Sequence, residues 1–416
     1  MRFNKSLQAV LLQRRKDAKK RLLLTVRLGV FAGGLLLLIC GARVFGLSNN
    51  SRRTEFRFLI PKGIPENLWR KSIPADNPMT AEKVALGEML FFDKRLSSSG
   101  SVSCAVCHDP ANAFTDHQPL STGASSNIGT RNVPTILNSM FSERLFWDGR
   151  AGSLEEQAKQ PLTNASEMGM GSYDAVVARV SAIAEYRRTF SRVFRREGIT
   201  IEAIVKAIAA YERTQLSGNS PFDRFIAGKQ DAITEAQKRG WELFSSKAKC
   251  IECHSFSTQS PFFTDFNFHN GGIGVANYNF EVMVNRAKEI STPDVGSTLL
   301  AHKTDFSELG RFLVTKQPTD IAAFKTPTLR DVELTPPYMH NGAFRTLLDV
   351  VRFYNEGGQR NPYLDEKVRP LGLTDEEMND IVEFLRALTG DDVLKRVQTS
   401  QPQTRTPAIN LHVPVQ

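Results

Sequence analysis

Cysteine and histidine are both scarce in this chain of 416 residues, which contains 5 cysteines and 7 histidines. Four of the cysteines occur in two short motifs, Cys104-Ala105-Val106-Cys107-His108 and Cys250-Ile251-Glu252-Cys253-His254. A structural zinc site usually needs a second pair of Cys or His ligands at fixed spacing, and neither motif has such a pair nearby. The readings that remain are a redox dithiol, a disulfide and an attachment site for c-type haem.

The C-x-x-C-H spacing favours haem attachment. Two cysteines three positions apart can each form a thioether to one porphyrin, and the following histidine then becomes the proximal ligand of the iron. The sequence therefore predicts two covalently bound c-type haems, with His108 and His254 as the proximal ligands. The predicted thioether cysteines are Cys104, Cys107, Cys250 and Cys253.

Acidic residues are almost absent from the first 53 residues, which contain twelve Lys or Arg and a single acid, Asp17. That segment carries a charge of +11, and because the whole chain carries +9, the remaining residues sum to −2. A protein that binds nucleic acid needs a basic surface on its folded part. The near-neutral body of this chain therefore argues against a nucleic-acid partner.

Long apolar runs are scarce as well, and the clearest is Leu28–Ala42, which is bounded by two arginines. A membrane-spanning helix needs about 20 residues, and the apolar residues that flank this run extend it toward that length. We predict a transmembrane anchor or uncleaved signal at 22–46 behind a basic cytoplasmic arm at 1–21. A cleaved signal peptide is the alternative, but no clear cleavage site precedes Ser48. The positive arm stays on the cytoplasmic side, which predicts attachment to the inner membrane with the residues after about 47 in the periplasm.

Signals for β-strands are sparse, whereas signals for helix starts recur along the chain. Thr80 precedes an apolar pattern of helical period. Capping boxes, in which a Ser or Thr is followed three residues later by Glu or Gln, begin at Ser153, Thr234 and Thr374. The sequence therefore predicts an all-α protein.

A short repeat suggests how the chain is divided. Each haem motif follows a predicted helix with a G-x-x-L-F pattern, at Gly87–Phe91 and at Gly240–Phe244. This repetition predicts two cytochrome c-like haem domains that arose by duplication. The predicted divisions are a linker at 47–79, an N-terminal haem domain at 80–230, a C-terminal haem domain at 231–395 and a disordered tail at 396–416.

Longer blocks of sequence resemble the bacterial dihaem cytochrome c peroxidase/MauG family. The blocks are Leu90–Asp93, Gly129–Thr135, Phe146–Arg150, Phe324–Arg330, Pro337–Gly342 and Phe353–Gly358. Together with both haem motifs they span about residues 80–392. The resemblance implies that His108 binds the haem that meets hydrogen peroxide and that His254 binds the haem that takes in electrons.

The resemblance also implies roles for individual side chains. Glu167 matches the family's catalytic glutamate, which moves the peroxide proton. Gln157 lies where the MauG branch has a glutamine in the distal pocket, and Trp147 matches a tryptophan between the two haems. A calcium site between the haems would be formed by the side-chain oxygen of Asn132 and two backbone carbonyls. These carbonyls belong to Thr335 and Pro337.

Two departures from the typical peroxidases match the MauG branch. Ala124 replaces the histidine that blocks the resting peroxidatic iron, and Tyr354 replaces the methionine that completes the second haem. We therefore expect Tyr354 to ligate the second iron, with Met339 as the rival. His117 is the rival for the sixth position of the first iron.

These features predict a peroxidase that reduces hydrogen peroxide to water. Its electrons would come from a small cytochrome c, a cupredoxin or a quinol-derived carrier. One alternative is a MauG-like oxidase that modifies a partner protein, and a second is an electron carrier without catalytic activity. A homodimer is a further prediction that the residues themselves do not decide.

Overall fold

Helices dominate the computed structural model, which describes residues 56–275, 281–282, 284–285 and 304–400. The α-helices with full bounds are α1 (Glu66–Lys71), α2 (Ala81–Phe92), α3 (Cys104–Cys107), α4 (Leu154–Thr163), α5 (Tyr173–Ala182), α6 (Ala184–Val193), α7 (Ile201–Glu212), α8 (Pro221–Ile226), α9 (Glu235–Ser245), α10 (Thr304–Ser307), α11 (Phe312–Thr315), α12 (Leu347–Asn355), α13 (Asp375–Arg386) and α14 (Asp391–Ser400). Strands β1 (Phe268–His269) and β2 (Phe324–Lys325) pair antiparallel. The predicted helical class is confirmed.

The predicted basic arm and anchor, at 1–21 and 22–46, lie outside the described residues. Within the part of the chain that is described, no helix is both long enough and apolar enough to span a bilayer. The described residues form one compact unit.

The predicted helix starts are largely those of the structure. Thr80 caps α2, and reciprocal capping boxes at Thr234 and Thr374 open α9 and α13. Ser153 caps α4, but its box is incomplete. The carboxylate of Glu156 accepts instead from the backbone N–H of Gly152, at 2.7 Å. The prediction of a full capping box at Ser153 was therefore wrong, because the preceding amide competes for the same oxygen.

The repeated glycine marks an equivalent helix crossing in each half. A Cβ at Gly87 on α2 would lie 1.9 Å from the carbonyl oxygen of Ala207 on α7. A Cβ at Gly240 on α9 would lie 1.9 Å from the carbonyl oxygen of Asp380 on α13. Each glycine therefore lets two helix backbones approach more closely than any side chain permits. The matching crossings support the duplication that the sequence predicts.

Each crossing lies in an apolar core of its own. The N-terminal core includes Leu86 and Phe91 of α2 and a row of residues on α7. The C-terminal core is rich in phenylalanine, including Phe244 on α9 and Phe384 on α13. These two cores hold the helices that precede the haem motifs.

The last helix does not belong with the half that it follows in sequence. Val393 and Val397 of α14 are buried in the N-terminal core, and Arg396 lies with its guanidinium 5.3 Å from the centre of the Phe114 ring. Because α14 extends to Ser400, the tail predicted from residue 396 begins no earlier than residue 401.

The predicted linker at 47–79 also contains structure. Helix α1 buries Trp69, whose ring lies 4.9 Å from that of Phe58. The four prolines of this segment indicated a surface tether, but they do not prevent a short helix that begins directly after Pro65.

Candidate functional site

The two proximal histidines are held in the same way. Nδ1 of His108 donates to the carbonyl of Phe114 at 3.2 Å, and Nδ1 of His254 donates to the carbonyl of Phe263 at 3.0 Å. Burial lowers the pKa of both rings, so both are neutral at pH 7. A neutral ring with its proton on Nδ1 leaves Nε2 free to bind a metal. Both histidines are therefore in a form suited to bind an iron through Nε2.

A threonine supports each of these loops. The hydroxyl of Thr135 donates to the carbonyl of Ala113 at 2.6 Å, and that of Thr328 donates to the carbonyl of Phe262 at 2.7 Å. In each half the carbonyl that accepts from the threonine immediately precedes the residue that accepts from the histidine. Both threonines follow a proline in the sequence blocks 129–135 and 324–330. The sequence could have revealed this equivalence through the shared Pro-Thr pair.

The four motif cysteines form no disulfide, and each is half-buried. Burial raises the pKa of Cys104, that of Cys107 to about 11 and that of Cys250 to about 12. Redox dithiols instead use a thiol whose pKa is lowered. Free thiols beside an oriented histidine, with a raised pKa at Cys104, Cys107 and Cys250, fit the attachment of c-type haem and argue against the dithiol and disulfide readings.

Glu167 contributes a buried carboxyl group to the N-terminal site. It lies near enough to Cys104 and Cys107 to raise the pKa of both thiols. Burial raises the pKa of Glu167, while Arg150 and a hydrogen bond from Asn164 act in the opposite direction. Its Oε2 atom has no hydrogen-bond partner among the described residues. An unpartnered buried oxygen is costly, so this atom is suited to a ligand that the pocket receives.

Residue 124 lies directly beside this glutamate. The backbone N–H of Ala124 donates to the carbonyl of Glu167 at 2.7 Å. A Cβ on the preceding Gly123 would lie 2.3 Å from the carbonyl oxygen of Ser166, so the two segments are in close contact. The methyl group of Ala124 has no atom that can bind iron. His117 is exposed, and its Nε2 donates to the carbonyl of Leu334 at 3.0 Å, which engages one of its two ring nitrogens.

Gln157 lies half-buried in the middle of α4. Among the described residues no hydrogen bond links its side chain to Glu167. Gln160, one turn further along, instead accepts from Nε of Arg150 at 2.9 Å. Arg150 also pairs with Asp148 at 2.8 Å. The arginine that lowers the pKa of Glu167 is therefore fixed by two partners.

The C-terminal motif opens into a cavity of about 340 Å³. Cys250, Cys253 and His254 line it together with both candidate sixth ligands, Tyr354 and Met339. The Tyr354 hydroxyl points toward the Gly271 backbone, where an added Cβ would lie 3.1 Å from its oxygen. Burial raises the pKa of Tyr354, with a smaller effect from the neighbouring thiols. A bound metal cation has the opposite effect on the pKa of its own ligand.

Trp147 lines the same cavity and connects the two halves of the molecule. Its Nε1 donates to the carbonyl of Asn132 at 2.8 Å. Its own carbonyl accepts from the N–H of Lys325 on β2, also at 2.8 Å. The indole ring lies edge-on to that of His340, with 6.4 Å between the ring centres. The tryptophan is therefore fixed where the two haem-binding halves meet.

The three residues proposed to bind calcium also line this cavity. The side-chain amide of Asn132 donates to the carbonyl of Gln118 at 2.9 Å, which directs its nitrogen away and leaves its oxygen available. Within the described residues, neither the carbonyl of Thr335 nor that of Pro337 accepts a hydrogen bond. The same part of the chain has no cluster of three or more Asp, Glu, His or Cys residues suited to a metal ion. A cation here would depend on neutral oxygens, which suit calcium.

Two charged groups near the haem motifs, the half-buried Lys325 and the buried Glu212, were not found from the sequence. Lys325 lines the cavity on β2, and Glu212 at the end of α7 raises the pKa of Cys104. Burial raises the pKa of Glu212 itself to about 8. A lone Lys or Glu carries no motif, so only the folded chain reveals their burial.

Comparison with known proteins accounts for this arrangement. The family described as di-haem cytochrome c peroxidase matches residues 81–231. Cytochrome-c peroxidase IdrP1 of Denitromonas iodatirespirans is 40% identical over 323 residues, which cover 76% of this chain and 84% of that protein. Methylamine utilization protein MauG of Methylophilus methylotrophus is 36% identical over 336 residues, which cover 80% of this chain and 88% of that protein.

A solved structure supports the same relationship. The crystal structure of a MauG-like protein associated with microbial copper homeostasis is 32% identical and superposes with a TM-score of 0.67. The match covers 82% of this chain and 98% of that one. The predicted family and the predicted class, a peroxidase with two c-type haems, are both confirmed. The chain belongs to the di-haem cytochrome c peroxidase family.

Proposed function

We propose that hydrogen peroxide is reduced at the N-terminal haem site and that electrons enter at the C-terminal one. When bound, the two haems supply the redox chemistry. Glu167 takes the proton from one peroxide oxygen and returns it to the other, since cleavage of the O–O bond needs this transfer. The observation that carries the proposal is the buried Oε2 of Glu167, which lacks a partner among the described residues. A plain electron carrier would need no such group.

We assign Tyr354 rather than Met339 as the second protein ligand of the C-terminal iron. Both residues line the cavity. The phenolate is an anionic, hard donor that favours the ferric state and lowers the potential relative to methionine. Tyr354 also replaces a methionine within a block that otherwise resembles the family. Trp147, which bonds to both halves of the molecule, would carry electrons or holes between the haems.

The MauG-like reading is the second candidate. Ala124 and Tyr354 both match that branch, and Ala124 lies directly against Glu167. Without a blocking histidine, the first iron should accept peroxide before the second is reduced. Such an enzyme could store two oxidising equivalents and use them on a partner protein. Relatives named cytochrome-c peroxidase and MauG have similar identities, at 40% and 36%, so similarity does not separate these two functions.

Anaerobic stopped-flow spectroscopy with hydrogen peroxide separates the candidates. A peroxidase should oxidise added reduced cytochrome c in proportion to peroxide. A MauG-like oxidase should change its own spectrum rapidly, hold that state and leave the cytochrome reduced. An electron carrier should not react with peroxide at all, which would contradict both enzymatic readings.

The calcium ion, the membrane location and the homodimer stay predictions. The available oxygens of Asn132, Thr335 and Pro337 support calcium. The basic arm and the apolar run at 22–46 support an anchor, with the haem domains in the periplasm. Cell fractionation tests the anchor, since a cleaved segment would release a soluble protein that begins near Ser48. Sedimentation of the purified protein tests the homodimer.

A further inference from the structure

The cavity at the C-terminal motif is lined by several basic side chains, and nearly all of them have a partner. The partnered groups are Lys249 and Arg369 with Glu252, Arg330 with Asp223, His269 with Asp265 and Asp365, His340 with Glu308, and Lys367 with the carbonyl of Glu252. Lys325 is the exception. Among the described residues, no carboxylate pairs with its ammonium group and no hydrogen bond reaches it.

Lys325 is half-buried at the cavity wall, and its ammonium group has no partner among the described residues. Burial lowers the pKa of Lys325 to about 8, and no acidic neighbour opposes that change. The pKa nevertheless stays above 7, so the group is cationic at neutral pH. Burial of a charge is costly unless an opposite charge compensates it. The described protein provides no such charge, so the molecule that fills the cavity should provide it.

The position of Lys325 is fixed by its backbone. Its N–H donates to the carbonyl of Trp147, and its strand partner across the ladder is Phe268. Lys325 lines the same cavity as Cys250, Cys253 and His254. The occupant predicted there is a porphyrin, which carries two propionate groups. A carboxylate is therefore available on the molecule that the site receives.

We propose that Lys325 binds a propionate of the C-terminal haem on the side that faces Trp147. The proposal rests on the two-haem function proposed above. The ion pair would compensate the negative charge of the propionate and hold that edge of the haem. It would also place a positive charge close to the second iron. A nearby cation opposes the extra positive charge of ferric iron and so raises the reduction potential of the haem.

The test compares three variants of the haem-loaded protein. Lys325→Met removes the charge and keeps an unbranched side chain. Lys325→Arg keeps the charge and can bind a carboxylate. Lys316→Met is the matched control, because Lys316 is another lysine of the C-terminal half whose pKa burial lowers, but it does not line the cavity. Mass spectrometry first confirms two haems in each variant. Spectroelectrochemical titration then gives the two reduction potentials.

Lys325→Met should shift the potential of the C-terminal haem to more negative values and change that of the N-terminal haem less. Lys325→Arg and Lys316→Met should stay close to the wild type. An unchanged C-terminal potential in Lys325→Met, or an equal shift in Lys316→Met, would overturn the proposal while leaving the peroxidase function intact. Titration of the wild type with inorganic phosphate tests whether Lys325 pairs with a propionate or with an anion from the solvent. A potential that depends on phosphate concentration would show a solvent anion, not a propionate, on Lys325. A chain that carries fewer than two haems would contradict the proposed function instead.

Discussion

Replacement of Glu167 by glutamine should remove most peroxide turnover while both haems stay attached. Glutamine has nearly the same shape and can keep the hydrogen bond with Asn164, but it cannot take a proton. Transfer of a proton by a positioned side chain typically contributes about 10²–10⁴ in rate. This corresponds to about 3–5 kcal/mol in the activation barrier. We expect a loss of that size in kcat/KM for hydrogen peroxide, measured with reduced cytochrome c as the electron donor.

The pH dependence gives this prediction a second, independent readout. As a base, Glu167 must be ionised before peroxide binds. Burial raises its pKa above the ordinary carboxyl value of 4.5, so activity should fall as the pH drops through that raised value. The acid limb should therefore lie at a higher pH than an exposed carboxylate would give. In Glu167→Gln the acid limb should disappear, because no group is left to titrate.

Glu212→Gln is the matched control for this experiment. Glu212 is also a buried carboxyl group of the N-terminal half, and its Oε2 likewise lacks a partner among the described residues. Because its pKa is raised to about 8, it is mostly protonated at pH 7, and glutamine resembles that neutral form. Turnover at pH 7 should therefore be close to the wild type. Equal losses in the two variants, or an unchanged kcat/KM in Glu167→Gln, would refute the role of Glu167 in proton transfer.

Three further predictions concern the second haem, the fold and the cation. Tyr354→Met should raise the reduction potential of the C-terminal haem. It should also shorten the lifetime of the oxidised state formed with peroxide, as followed by absorption spectroscopy. An unchanged potential would indicate Met339 as the ligand. Gly240→Ala should destabilise the protein by about 1–3 kcal/mol in chemical denaturation, because the new methyl group would overlap the carbonyl oxygen of Asp380. Gly171→Ala is the control, because open space surrounds that glycine, and it should leave the stability unchanged. Asn132→Ala should abolish any effect of calcium chelators on the haem spectra, and chelators that affect neither protein would argue against a calcium site.

Local patterns in the sequence predicted much of this structure. The haem motifs, the helix caps at Thr80, Thr234 and Thr374, and the repeated glycine patterns depend on residues within a few positions of one another. Such patterns are readable because capping and close helix contact have strict requirements on residue type. The failure at Ser153 was also local, since an upstream amide took the expected partner.

Features that depend on contacts between distant parts of the chain could not be predicted in this way. The carbonyls of Phe114 and Phe263 orient the histidines only because each loop folds back onto its motif. The isolation of Lys325 depends on which side chains are absent around it in the folded protein. The packing of α14 leaves a weak signal, two valines four residues apart after a pair of aspartates. That spacing predicts a helix but not the core that receives it.

The position of α14 means that the N-terminal half of the molecule is not an independent folding unit. The N-terminal core is completed by Val393 and Val397, which are synthesised only after the whole C-terminal half. Contacts between residues so far apart in the chain need the closure of a long loop, and its entropic cost must be met before they form. Arg396 on the same helix covers Phe114, whose carbonyl orients His108. A nascent chain with only its first motif synthesised would thus lack the helix that packs over the loop holding His108.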